Sequence, residues 1–301
     1  MLDVAQAQVW YDTARKWFAI IPPLICPTTF LIDAPFGRFA PSGDSILLVD
    51  GIKSWIAMEL VSPLTFIYIF TKAPLSGGVA PPLTLSHPPT FLSALFLLHY
   101  LNRAIISPLR TPSRSKSHIS VPLSAVLFNV MNGSLMATYF SSPGARAFLA
   151  DAYTRPTFCG GVGLWAVGLA GNILHDEVLL SIRRKAKAKG KGRALADDGG
   201  SGKKKSQKEH YAIPHGYLYN FISYPNYFCE WCEWLGFALA AAQVPSFGSF
   251  AQLLATLSPP YLFFFSEVFL MLPRAYRGHK WYHSRFPDYP SERKAVVPFL
   301  F

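Results

Sequence analysis

Charge is scarce in this chain: Asp, Glu, Lys and Arg make up only 15% of its 301 residues. Soluble domains carry about 25%, so the composition argues against a protein surrounded by water and for one that lies in a membrane. Cysteine is scarce as well. Of the four present, Cys229 and Cys232 form a CxxC with no second pair and no nearby histidine set. A zinc or thioredoxin-type centre needs that missing context, so no metal is expected and packing accounts for both thiols. Nucleotide signatures are also missing. No Walker-type loop occurs, and the glycines of GGVGLWAVGLAG have the wrong spacing for GxGxxG. A dinucleotide, if one binds, therefore binds outside a Rossmann fold. No cleavable signal is expected, because Asp3 and Asp12 interrupt the basic start that one requires.

What is abundant is apolar: 51% of residues are hydrophobic and 15% aromatic. They fall in blocks. Windows near 52–72, 89–109, 120–141, 157–182, 214–243 and 247–272 each approach or exceed the roughly 20 residues of a spanning helix. A seventh, near 17–34, is weaker, since it holds Pro22, Pro23 and Pro27. The residues before it, AQVWYDTARKWF, mix aromatic and charged groups and suit the membrane interface. The expected architecture is all-α: one integral-membrane domain, 1–301, of about seven transmembrane helices around a cytosol-facing cavity. Of 28 Lys and Arg, four lie in 103–116, eleven in 183–208 and six in 274–294. The positive-inside rule puts all three groups, and the C-terminus, in the cytosol. The lysines of 185–210 are interleaved with Gly, Ala and Ser, which reads as a disordered solvated loop rather than a nucleic-acid site.

Polar residues inside apolar windows are costly and mark sites by default. In the stretch 211–236, Asn226, Glu230 and Glu233 fall at i, i+4 and i+7, so one helix face can aim all three into one cavity. Glu59 stands in WIAMELVSPLTFIYIF with no cation within a turn. His99, Tyr100 and Arg103 end the third window, although Tyr and Arg are also ordinary interface anchors. Asn129 and Asn132 interrupt the fourth. In the fifth, which opens with small residues suited to close helix packing, Asn172, Asp176 and Arg183 share an arc of about 40°. Pro225 is expected to break the long sixth window. The tail 274–301 is rich in Arg, Lys, His and Tyr. Such groups suit a phosphate-bearing ligand or anionic lipid, and Gly278, Pro287 and Pro290 indicate that the tail is folded.

YAIPHGYLYNFISYPNYFCEWCEWLGFAL resembles the IPxGxLFxYVSxxNxxxExxEWxGxAL block of the steroid 5α-reductase family, the 3-oxo-5α-steroid 4-dehydrogenases. RAYRGHKWYHSRFPDYPSERKAVVPFLF is similar to that family's RAxxxHRFYxxxFxDYPxSRKAxxPFxF ending. LHYLNRAIISPL and GNILHDEVLLSIRR resemble its HYxxRxxxYPLL and INIHSDxxLRxLRK segments. Gly278 stands where the family has a histidine, and 185–210 looks like an insertion.

The resemblance implies a seven-helix enzyme of the endoplasmic-reticulum membrane, with a C-terminal reductase module over 150–301. Its implied reaction is NADPH-dependent reduction of the 4,5 double bond of a 3-oxo-Δ4 steroid or sterol-like enone. Glu59 and Tyr100 would be catalytic, holding the 3-keto oxygen, with Glu59 donating if protonated. Asn172, Asp176, Arg183, Tyr211, Asn226, Glu230, Arg274, His279 and Tyr282 would bind the cofactor. The expected partners are a lipophilic small molecule and membrane lipids, and the expected state is a monomer. Enoyl-CoA or polyprenol reduction, an isoprenylcysteine-type methyltransferase and a non-catalytic sterol-binding protein stay open as alternatives.

Overall fold

The computed structural model describes residues 3–41, 43, 45–196 and 211–301. Almost all of its regular structure is helical. Helix α1 (Val4–Thr29) is followed by α2 (Gly51–Lys72) and α3 (Pro88–Tyr100), which continues through a π-helical stretch, Leu101–Ile106, into α4 (Ser107–Arg110). Then come α5 (Ser120–Phe140), α6 (Pro143–Phe148), α7 (Pro156–Ala196), α8 (Pro225–Ala241), α9 (Phe250–Thr256) and α10 (Pro259–Arg285). One two-stranded ribbon, Leu48–Val49 against Ser117–His118, ties the loop before α2 to the segment before α5.

Four stretches are long and apolar enough to cross a membrane: Gly51–Ser76, Pro88–Arg110, Ser120–Phe140 and Pro156–Lys189. Helices α9 and α10, bent by 117°, make a fifth if they are one span. The outer faces of the four carry large apolar groups, among them Leu64, Tyr68 and Val167, each more than 60% exposed. Lipid tails satisfy such a surface, whereas water would not.

Two expectations change. Helix α1 starts at Val4, so AQVWYDTARKWF is the first half of the proline-containing helix rather than a separate interfacial segment. Its charged residues and the 17-residue length of α8 leave both helices outside the four or five that qualify by length and composition among the described residues. Helix α7 runs on to Ala196, into the segment read as a disordered loop, because alanine, lysine and arginine are good helix formers. The remainder of that loop, 197–210, lies outside the described residues.

The core gathers at the meeting of α2, α3, α5, α7, α8 and α10, where Phe66, Phe96, Phe140, Trp234, Phe237 and Phe263 pack as one buried cluster. Helices α7 and α8 approach backbone to backbone. A Cβ on Gly161 would stand 2.6 Å from the Gly236 carbonyl oxygen, and one on Gly168 would stand 2.4 Å from the Glu233 nitrogen. Gly163 instead faces open space. Gly168→Ala is therefore expected to cost about 1–3 kcal/mol, as overpacking does, and Gly163→Ala to leave stability unchanged or slightly raised. Thermal unfolding of the two variants in detergent checks this; equal midpoints would refute the packing assignment.

The tail folds back, as its glycine and prolines suggested. Ser223 and Tyr224 donate their backbone N–H groups to Lys294 and Ala295 carbonyls at 2.9 and 3.0 Å, and the Lys294 N–H returns a bond to Phe221 at 2.9 Å. Arg293 is buried beneath, donating to the Pro214 carbonyl at 3.0 Å. These bonds hold the strand-like segment before α8 and fix where α8 starts, at Pro225.

Candidate active site

A cavity of about 800 Å³ runs into the bundle, within the size range of small-molecule sites. Part of its lining is apolar, from Trp17, Ile21 and Ile25 of α1 and from Leu127 and Phe128 of α5. Much of the rest is polar. Of the site residues predicted from the sequence, Glu59, Tyr100, Asn172, Asp176, Arg183, Tyr211, Asn226, Glu230, Arg274 and Tyr282 all line it.

The long α7 and the start of α8 build the polar floor. Asn172 donates to Glu230 Oε2 and to the Asn226 carbonyl, each at 3.1 Å. Asn226 in turn donates to Asp176 Oδ1 at 3.0 Å. Each amide thus orients a carboxylate on the other helix, and the glycine seam between α7 and α8 makes the bonds possible. The shared arc of Asn172, Asp176 and Arg183 is realised: all three face the cavity.

Helices α2 and α3 supply the deeper groups. Pro63 in α2 lacks an N–H and so leaves the Glu59 carbonyl without its helical partner. The backbone is opened one turn before the proline, where Glu59 projects. Tyr100 ends α3, and the π-helical stretch that follows carries Arg103. Single π-helical insertions of this kind frequently occur at functional sites. Arg103 reaches Glu59 Oε1 with Nε at 3.4 Å and Glu230 Oε1 with Nη1 at 3.2 Å. Trp55 lies beneath its guanidinium, 4.9 Å away, and donates to the Arg103 carbonyl at 3.2 Å.

The expectation of a lone carboxylate at Glu59 is thereby corrected. Its cation comes from another helix, 44 residues on, which no count of neighbours within a turn could find. Glu233 is also corrected. It does not reach the cavity; it is fully buried and accepts from His99 Nδ1 at 2.7 Å. Of the cofactor residues expected from the sequence, His279 stays out of the lining. Its Nδ1 lies 2.6 Å from Ser223 Oγ, which Tyr289 also meets at 2.7 Å, so His279 braces a wall residue instead of forming the wall.

Two further lining residues carried no signal strong enough in the sequence. Arg38, in the short Gly37–Phe39 turn, sits among the rings of Tyr282, Trp281, Tyr211 and Tyr224 at 4.7, 4.8, 5.5 and 5.5 Å. Arg274 approaches the same turn, stacking on Phe36 at 3.6 Å. The hint was that Arg38 is the one cation between Lys16 and Lys53. Glu267 of α10 lines the cavity as well; it lies among apolar residues in a window too long to assign. Gly278 explains the seat of Tyr224, since a Cβ there would be 1.6 Å from the tyrosine hydroxyl. The bare α10 backbone lets that ring reach Arg38.

The sequence model of 3-oxo-5-alpha-steroid 4-dehydrogenase matches residues 115–301. An uncharacterized protein of Schizosaccharomyces pombe is 35% identical over 97% of this chain and 100% of its own. The 3-oxo-5-alpha-steroid 4-dehydrogenase 1 of Rattus norvegicus is 31% identical, covering 89% of this chain and 87% of the relative. A steroid 5-alpha-reductase of Solanum lycopersicum is 30% identical, covering 89% and 88%. With the family match extending over more than half of its length and relatives aligning along most of it, this chain belongs to the 3-oxo-5-alpha-steroid 4-dehydrogenase family of oxidoreductases.

Proposed function

We propose that the protein reduces the 4,5 double bond of a 3-oxo-Δ4 steroid or sterol-like enone, with NADPH as donor. The observation that carries this reading is that Glu59, Tyr100 and Arg103 line one cavity together with apolar groups of α1 and α5 and a set of arginines and tyrosines. An apolar ring system suits the first of these surroundings and a phosphate-bearing cofactor the second.

The arginine- and tyrosine-rich lining fits such a group. Arg38 Nη1 is buried without a hydrogen-bond partner among the described residues, and a buried donor of that kind calls for an acceptor. Arginine meets phosphate oxygens through paired N–H groups, and Arg38, Arg274 and Arg183 all line the cavity. Tyr211, Tyr224 and Tyr282 offer hydroxyls and ring faces beside them. Asn172, Asp176, Asn226 and Glu230 would hold the remaining polar groups. When bound, NADPH would supply a hydride to the β carbon of the enone, and a proton taken up at the α carbon would complete the reduction. Negative charge then develops on the ketone oxygen, and a donor already in place lowers the barrier without reorganising. Tyr100 is that donor; Glu59, held by Arg103 at 3.4 Å, is the second group of the pair placed at the ketone. Trp17, Phe128 and their apolar neighbours offer the steroid ring system an apolar wall. The enzyme would act as a monomer in the endoplasmic-reticulum membrane, with its basic segments and C-terminus in the cytosol.

Purified protein in detergent is expected to oxidise NADPH on addition of progesterone and related 3-oxo-Δ4 steroids, with products two mass units heavier. NADPH binding without steroid turnover would redirect the reading to enoyl-CoA or polyprenol substrates. Absence of NADPH binding would overturn it.

A further inference from the structure

Helix α5 carries two buried amides in an apolar span, Asn129 at 4% and Asn132 at 2% exposure. Neither belongs to the set of site residues above. A buried amide in such surroundings is costly unless bonded, and both are bonded to the helices that bear the ketone-holding pair. Asn129 donates to the Met58 carbonyl at 2.8 Å, next to Glu59 at the proline-opened part of α2. Asn132 donates to Tyr100 Oη at 3.0 Å. The reach of Asn132 depends on close packing: a Cβ on the adjacent Gly133 would stand 2.4 Å from the Ser62 carbonyl oxygen, so α5 lies directly against α2.

We propose that Asn132 is the positioning residue that sets Tyr100 as a hydrogen-bond donor toward the cavity, and that it thereby selects a 3-oxo over a 3-hydroxy ligand. A phenol has one proton and two acceptor sites, whereas an amide nitrogen can only donate. By donating to Tyr100 Oη, Asn132 occupies an acceptor site and leaves the phenol proton to be given to another group. The same nitrogen lies 3.4 Å from Ser62 Oγ, and the Ser62 hydroxyl also bonds the Tyr100 hydroxyl, so the second acceptor site of the phenol is contested as well. Tyr100 lines the cavity, and a ligand acceptor there completes its bonding. A ketone oxygen is such an acceptor. A ligand hydroxyl that donated would find its place on the phenol oxygen already contested, and sites built around one hydrogen-bond polarity discriminate strongly.

The inference rests on the reductase reading, and its test separates the two. Full-length protein in detergent would be compared as wild type, Asn132→Leu, Tyr100→Phe and the double variant, with Asn132→Ala added should the leucine variant not fold. Two quantities are read: steroid turnover, and the ratio of binding constants for a 3-oxo steroid and its 3β-hydroxy counterpart, followed by tryptophan fluorescence. Asn132→Leu is expected to lower kcat about ten-fold, as loss of one hydrogen bond of ordinary strength would, with KM for NADPH unchanged. The 3-oxo preference should shrink, and the double variant should be no slower than Tyr100→Phe alone. Multiplying losses in the double variant, with the ligand preference intact, would reduce Asn132 to a packing role and overturn the proposal. A wild type that neither turns over nor prefers 3-oxo steroids would overturn the reductase reading and the proposal together.

Discussion

Tyr100→Phe is expected to lower kcat by about 10²–10³-fold, the usual cost of removing one preorganised donor from a developing oxyanion, while NADPH still binds. The substitution deletes one oxygen from a fully packed position. Tyr100 is 3% exposed, with its ring against Phe96 at 4.9 Å and His99 at 5.3 Å. Phenylalanine keeps those ring contacts and loses only the hydroxyl. It leaves the Asn132 amide and Ser62 to bond each other, so the fold has an alternative partner at hand. The loss should therefore appear in kcat and not in thermal stability. Because the phenol meets the ketone most strongly once charge has developed, KM for the steroid should change by much less than kcat. Steady-state kinetics with a 3-oxo-Δ4 steroid decide the matter. A variant within a few-fold of wild type would remove Tyr100 from the chemistry and leave Glu59 and Arg103 as the groups to examine.

How far the sequence could be read depended on the range over which each signal acts. Hydropathy is local, so the windows 52–72, 89–109 and 120–141 coincide with Gly51–Ser76, Pro88–Arg110 and Ser120–Phe140 to within a few residues. Helical spacing is local too, and it put Asn172, Asp176 and Arg183 on one face correctly. The same rule failed at Glu233, because sharing a face with Asn226 and Glu230 does not fix how deep a residue sits. One more turn along α8 the face has passed below the cavity floor and meets His99 instead. Prolines 22, 23 and 27 weakened the first window, yet a helix packed against neighbours tolerates them, and α1 continues through all three. Arg38 was hidden because its role depends on four rings brought from residues 211–224 and 281–282, a conjunction made by the folded tail. Asn129 and Asn132 were visible as polar groups in an apolar helix, but their partners, on α2 and α3, were not.

Arg103→Met is expected to destabilise the protein by about 3 kcal/mol, the lower end of the range for breaking a buried ion pair from one side. The guanidinium serves two helices at once, with Glu59 of α2 at 3.4 Å and Glu230 of α8 at 3.2 Å. Both carboxylates are nearly inaccessible, with side chains 9% and 3% exposed, and Glu267 lies along the same cavity. Methionine fills much of the volume but leaves these carboxyls facing one another without a counter-charge. The arginine side chain is itself 28% exposed, so water reaching the cavity offsets part of the loss, which is why the lower figure applies. Glu230 keeps its bond from Asn172; Glu59 has no such second partner among the described residues, so α2 should loosen first. The double variant Arg103→Met with Glu230→Gln removes one of the stranded charges and should recover a substantial part of the stability. Arg103→Lys should fall between, since a single ammonium cannot span two carboxylates as the planar fork does. Thermal midpoints in detergent rank the four proteins. A ranking in which Arg103→Met matches wild type, or in which Glu230→Gln makes the methionine variant worse, would show that the three-residue ion cluster does not hold α2, α3 and α8 together.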